Sequence, residues 1–379
     1  MTNPLFGIRS KQVHPTNINA QESAFLTISL YNGVALASEM NEPERISHFI
    51  SPSLTHLSGL MKFDAFADDL SICGALLTFF RDYAEQCIGI LDHQQCGILF
   101  TSAASLLKSY SEHHCQNRAI PRISEEIDFE EEQKYNDVLC AIQLLIHLGT
   151  KDFIDVFNAD TYKSQGLGSE NITDVIFFGL QQILPLMSQG LLQFPTLCTH
   201  YFSLVGFTVE TYPSKMCVLP FDLFKSLLDS LLFGMSHSDN IIAKCSLQGL
   251  ASLIKEHTKT NALSSQLSVK GDILQECTQR VIQEVVFQPI IWDRLEPVAA
   301  ALLPLLVSIE LSNIATLINT ISLQSGSQDR LNVAFEKLIK PELLSKTALN
   351  GKEGRMIRTR FKTEFDAFVK DVQSFLVTR

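Results

Sequence analysis

A chain of 379 residues exceeds the size at which one hydrophobic core normally keeps growing, so two globular domains or one elongated repeat array are the options. Hydrophobic residues at 46% against 19% charged exclude a disordered chain. A formal charge of −11 argues against nucleic acid as a partner, because a duplex or RNA backbone repels such a surface unless a strong local basic patch exists.

In chain order, MTNPLFGIRSKQVHPTN has no apolar run after its first charge and is no secretory signal. Residues 1–40 are expected to be a poorly ordered or partial segment, and residues 41–379 a continuous helical array. Leu70, Cys73, Leu77, Phe80, Ala84, Cys87 and Leu91 recur in steps of three and four, the mark of an amphipathic helix. Cys96, Leu99, Phe100, Ala103, Leu106, Leu107 and Tyr110 form a second stripe, and Tyr135, Val138, Leu139, Ile142, Leu145 and Ile146 a third. His113–Arg122 and Ala159–Asn171 read as loops.

From residue 171 the punctuation becomes regular. A helix is predicted from Ile172 to Met187, and a second from Phe194 with Pro195 in its first turn and Pro213 after its end. Pro220 opens a third, through Leu232, and Ser238 or Asp239 can cap a fourth ending near His257. Further helices are predicted over Asp272–Phe287, Asp293–Ile309, Ser312–Ile321, Gln328–Ile339 and Arg358–Leu376. Alternate helices begin near 172, 220, 271 and 312. Those steps of about 41–51 residues bracket the period of HEAT-type helix pairs. No period-2 alternation competes, so strands are expected to be essentially absent. The predicted fold is all-α, a solenoid of antiparallel helix pairs in a HEAT/armadillo-like superhelix, with a terminal capping helix near 356–377. A single helix of this kind cannot offset the entropy of fixing its backbone, whereas stacked neighbours bury its second face.

Nine cysteines scattered singly, an odd count without paired spacing, argue against a disulfide framework and point to a reducing compartment. The longest apolar stretch, Val298 to Ile309, is 12 residues against about 20 needed to span a bilayer, so no membrane insertion is expected.

The search for chemistry returns little. His113, His114 and Cys115 lie together with Cys96 one helix back, but four converging ligands at a zinc spacing are missing. Gly166 and Gly168 have neither a preceding strand nor a following Gly-Lys-Ser/Thr. No Gly-x-Ser-x-Gly elbow and no His-Glu-x-x-His pair occurs. No catalytic residue, metal site or cofactor is therefore expected, and the protein is read as a non-enzyme.

Charge is more informative. Between Pro121 and Asp160, ten acids face three bases, so this stretch supplies −7 of the −11. Its centre, SEEIDFEEE, holds Glu125, Glu126, Asp128, Glu130, Glu131 and Glu132. These six are the candidate partner-facing patch for a basic protein. They can equally open the helix of the Tyr135 stripe, where acids complement the N-terminal dipole. The opposite charge gathers in GKEGRMIRTRFK, with Lys352, Arg355, Arg358, Arg360 and Lys362. It reads as the solvated face of the capping helix, whose apolar side is Phe361, Phe365, Phe368, Val372 and Phe375, or as a patch for an acidic surface.

The stretch VIFFGLQQILPLMSQGLLQFPTLCTHYFSLVGFTVETYP, followed by LPFDLFKSLLDSLLFGM, resembles the C-terminal third of exportins of the importin-β (karyopherin-β) superfamily of nuclear transport receptors. ILPLMSQGLLQFPTLC is its most specific piece, with SAASLLKSYSEHHCQNRAI and IQLLIHLGTKDFID in support. The likeness covers residues 95–260, is looser beyond them and is weak before residue 60. It implies a HEAT solenoid that binds cargo proteins together with Ran-GTP, contacts nucleoporins and shuttles between nucleus and cytoplasm. Basic cargo, such as a hypusine-bearing translation factor, suits the acidic charge. The N-terminal repeats that grip Ran have no counterpart in this sequence, so either a fragment or shortened product, or a chain without Ran control, is expected. A static HEAT-repeat scaffold or adaptor subunit is the alternative.

Overall fold

The computed structural model describes residues 18–37, 43–115, 132–158, 169–340, 342–344 and 351–376. The chain divides into two compact units, Met1–Leu204 and Val205–Arg379. The described residues contain helices and no strand, so the fold is all-α and built of helix pairs.

In the first unit the main helices are α1 (Ile18–Leu36), α2 (Pro43–Ser58), α3 (Leu70–Cys87), α4 (His93–Tyr110), α5 (Asn136–Asn158) and α6 (Ser169–Ile183). They form two layers. α3 packs on both α1 and α5, and α4 packs on both α2 and α6. Each pair (α1/α2, α3/α4, α5/α6) also closes on itself. A helix in this arrangement touches its pair mate and the equivalent helix of the next pair, which is the packing rule of a repeat stack. Local chemistry sets the boundaries. The Asp69 carboxylate accepts from the Ser71 and Ile72 amides at the start of α3. Asp92 and Gln95 form a reciprocal capping box at the start of α4, and such caps contribute about 0.5–2 kcal/mol each.

The predicted stripes are buried. Cys73, Leu77, Phe80, Ala84 and Cys87 of α3 and the whole stripe of α4 lie inside, while Leu70 is exposed. On α5 the core widens to Cys140, Ala141, Leu144 and Leu148, with Leu139 and Ile146 half-buried. Two buried hydrogen bonds pin neighbouring helices: Tyr83 to Ser51 at 3.0 Å across α3 and α2, and Tyr110 donating to Asp137 at 2.8 Å across α4 and α5.

α7 (Pro195–Thr211) opens on Pro195 as expected and runs across the boundary between units. The second unit contains α8 (Phe221–Gly234), α9 (Asn240–Thr260), α10 (Ile273–Phe287), α11 (Trp292–Ser308), α12 (Leu311–Ser325), α13 (Gln328–Leu338) and α14 (Gly351–Leu376). Again consecutive helices pair (α8/α9, α10/α11, α12/α13), α9 packs on α11, and α14 closes over α10, α11 and α13. Pro220 and Asp239 stand immediately before α8 and α9, where the sequence placed them, and the Asp239 carboxylate accepts from the Ile241 amide at 2.7 Å. α9 ends because Asn261 turns left-handed (φ 54°) and its amide caps the His257 carbonyl.

Four differences from the sequence reading have physical causes. The stretch 1–40 contains α1, with Ala20, Ala24, Ile28 and Ala35 buried; its first 17 residues lie outside the described ones. Apolar residues sit on all sides of α1, so no stripe announces it. The helix from 169 stops at Ile183 rather than Met187, since Pro185 supplies no amide, and Leu184–Leu186 tighten into a 3₁₀ turn. Pro213 starts a five-residue helix, Pro213–Cys217, as its first residue. α14 begins seven residues early because packing overrides the low helix propensity of Gly351 and Gly354, the latter buried.

Candidate interaction surfaces

Of the acidic candidates, Glu125, Glu126, Asp128, Glu130 and Glu131 lie outside the described residues. Glu132 is placed, half-buried, and its role is internal to the first unit. Its carboxylate accepts from the Thr196 and Leu197 amides at 3.0 and 3.3 Å, capping the N-terminus of α7. Both amides belong to the first turn, where donors lack intrahelical partners and the dipole favours negative charge. Glu132 therefore complements the start of α7.

The basic run behaves as a cap. Phe361, Phe365, Phe368 and Val372 are buried and Phe375 half-buried. Two cations on the other face already meet acids: Lys362 with Glu296 at 2.8 Å and Arg360 with Glu342 at 3.4 Å. The histidines 113 and 114 are likewise engaged, with Asp68 at 2.7 Å and with the Ala67 carbonyl at 2.6 Å. Among the described residues, no group of three or more His, Cys, Asp or Glu is placed to hold a metal ion. None of the nine cysteines is in a disulfide, and eight are buried. Burial pushes the Cys217 and Cys277 thiols up to about 12, which keeps them unreactive. Gly166 and Gly168 fall outside the described residues.

The first unit carries a polar cleft that sequence reasoning missed. It measures about 280 Å³ and is lined by Arg81 and Glu85 of α3, Gln143, Ile146 and His147 of α5, and His200 of α7. The donors form a chain. Arg81 pairs with Asp82 at 2.6 Å and donates to Gln143 at 3.3 Å. Gln143 lies 3.2 Å from His200 Nε2, and His200 Nδ1 lies 2.8 Å from the Thr196 carbonyl. A carbonyl can only accept, so Nδ1 carries the proton and Nε2 accepts from the Gln143 amide. Arg81 also donates to Cys140 Sγ at 3.2 Å. The signal available in the sequence was faint: two i,i+4 pairs, Arg81/Glu85 and Gln143/His147, on the polar edges of their stripes.

His147 gives this cleft a pH signature. Burial holds its imidazole below the ordinary 6.5; Glu85, 4.0 Å away, pulls it back up and Arg81 pushes it down. The native state thus favours neutral His147, and the unfolded chain takes up a proton first as pH falls. Stability held above about pH 6.5 is lost as pH drops through that value toward the lower native one. His147→Gln should lose less melting temperature than the wild type over that range. Parallel pH profiles of the two proteins would contradict it.

In the second unit, exposed apolar side chains gather where helix ends meet. Ser236 donates to Glu284 at 2.7 Å, and Arg294 donates to Asn240 and to the Ser238 carbonyl at 3.1 and 2.9 Å, drawing the α8/α9 and α10/α11 turns together. Those turns carry Phe233, Ile241, Phe287, Ile291 and the single tryptophan, Trp292, which is 69% exposed. The Lys370 ammonium sits 5.4 Å from the Trp292 ring centroid. Apolar side chains grouped on a surface are the usual mark of a protein-binding site, and tryptophan is enriched among residues that dominate binding energy.

Two-layered helix pairs thus present an exposed apolar edge on the second unit. The family model that matches the sequence is Exportin-4, over residues 45–379. The chain belongs to the exportin-4 family. That match contains the whole stretch 95–260 in which the resemblance was legible, and extends on both sides of it. Membership places the chain among karyopherin-type transport receptors, and helix pairs stacked in layers are the scaffold such receptors use.

Proposed function

We propose that this chain serves nuclear export: it holds cargo proteins, under the control of GTP-loaded Ran, for passage from nucleus to cytoplasm through contacts with nucleoporins. The observation that carries the reading is the exportin-4 family match over residues 45–379 of a chain made of paired helices. Chemically the reading asks nothing of the chain beyond surface. The nucleotide belongs to Ran, so no phosphate-binding loop is needed, and no side chain is assigned a catalytic role. Control by Ran is a coupling between two binding events on one protein, of the size of about 5–150-fold in affinity. The charge of −11 favours basic cargo, a hypusine-bearing translation factor among them, through steering of encounter more than through affinity.

Capture from nuclear extract on the immobilised chain, carried within a receptor that includes the Ran-gripping repeats, tests this. Partners should be retained more strongly in the presence of GTP-loaded Ran than of GDP-loaded Ran. Equal retention with either nucleotide, together with one constant stoichiometric partner, would replace the transport reading by a static scaffold.

A further inference from the structure

We propose that the apolar edge around Trp292 is a docking surface for a partner-protein segment that carries carboxylates beside its apolar residues. Two turns build it. The Ser236 hydroxyl donates to Glu284 at 2.7 Å, and Arg294 donates to the Asn240 side chain at 3.1 Å, holding the α8/α9 turn to the α10/α11 turn. Asp293 adds a second tie, accepting from Asn240 at 3.3 Å and pairing with Lys244 at 3.2 Å. Each tie adjoins exposed apolar side chains. Phe233 and Phe287 lie within a turn of Ser236 and Glu284, while Ile241 and Trp292 are the chain neighbours of Asn240 and Asp293. A group of this kind loses exposed apolar area when a partner covers it.

Charge at the Trp292 end selects the occupant. The Lys370 ammonium, from α14, stands 5.4 Å from the indole centroid, and Lys370 is itself exposed. Among the described residues, Lys370 meets no carboxylate. Arg294 donates to neutral oxygens, those of Asn240 and Ser238. The acid between Trp292 and Arg294, Asp293, is taken by Lys244, and Glu284 at the Phe287 end holds the Ser236 hydroxyl. By contrast Lys362, also on α14, meets Glu296 at 2.8 Å.

An ammonium over an exposed ring keeps its outer side in water, where a carboxylate can reach it while apolar neighbours cover the indole. A basic segment would set its cations against Lys370 and Arg294. A wholly apolar one would cover the Lys370 ammonium without a counter-charge. A second copy of the chain would bring its own charge of −11 against the same sign. The segment that satisfies both the ring and the ammonium is apolar with carboxylates at its flank.

Trp292 is the single tryptophan of the chain, so its fluorescence reports this surface alone. The full chain is titrated with a synthetic peptide of leucine and glutamate at low and moderate salt, without Ran, which separates this test from that of the transport reading. Trp292 emission should shift to the blue and saturate, and more peptide should be needed as salt rises. Lysine in place of glutamate should weaken binding about tenfold, and serine in place of leucine should abolish the shift. Anisotropy of the labelled leucine–glutamate peptide reads the variants. Trp292→Ala should weaken binding about tenfold, and Lys370→Gln about threefold with a flatter salt dependence. Val218→Ser, exposed near the far end of α9 where Ser214 meets Glu256, should bind as wild type. Unaltered helical circular dichroism verifies folding. Emission that does not move overturns the proposal, as does equal binding of the lysine peptide or wild-type affinity of Lys370→Gln at low salt. A blue shift that grows with protein concentration in the absence of peptide, with dimers in light scattering, would assign the face to a second copy instead.

Discussion

Replacing Phe365 by alanine is expected to lower the unfolding free energy of the unit 205–379 by about 3–5 kcal/mol. The ring is fully buried on α14, flanked by Phe361 and Phe368 at centroid distances of 6.2 and 6.3 Å. Phe368 in turn meets Phe335 of α13 at 4.7 Å. Removing Phe365 takes away the middle of this ladder and leaves a cavity under a helix that closes over three others, so the surroundings cannot collapse into it. Phe233→Ala, at a ring 46% exposed, should change stability by no more than about 0.5 kcal/mol. Urea unfolding followed by circular dichroism distinguishes the two, and equal effects would contradict the role given to α14.

Gly206→Ala should be destabilising by about 1–3 kcal/mol, although glycine-to-alanine changes inside helices ordinarily stabilise by about 1 kcal/mol. A Cβ at Gly206 would stand 2.9 Å from the Cys245 carbonyl oxygen and 3.0 Å from the Cys245 Cβ. Opposite it, a Cβ on Gly249 would meet the Gly206 carbonyl at 3.4 Å. The two glycines let the backbones of α7 and α9 approach directly, and backbone cannot yield as a flexible side chain does. Gly97→Ala on α4, where the added methyl meets open space, should follow the ordinary rule and raise stability. Thermal melts of both variants read the contrast. A Gly206→Ala protein that melts above wild type would mean that the helices are not in such contact.

Why was so much of the fold legible, and the surface so little? Helix boundaries are written in residues within a turn of the boundary: Asp69, Asp92, Asp239, Pro195 and Pro220 each act on amides or dihedrals next to them. Stripes such as Cys73–Leu77–Phe80–Ala84–Cys87 are equally local. Glu132 marks the limit, because the amides it caps lie 64 and 65 residues further on, and nothing near Glu132 names them. The polar cleft fails to appear for the same reason: Arg81, Gln143 and His200 become neighbours only once α3, α5 and α7 are stacked. Helix α1 escaped for a different one, an apolar residue on every side and hence no period to read. The exportin resemblance was carried by the most specific local wording, ILPLMSQGLLQFPTLC, which sits across the 3₁₀ turn after α6 and the start of α7.

Selective depletion of the protein in living cells puts the central claim to its most direct test. Proteins captured on it under GTP-loaded Ran should then accumulate in the nucleus, and restoring the protein should return them to the cytoplasm. Captured partners whose nuclear-to-cytoplasmic ratio does not move on depletion would contradict the account.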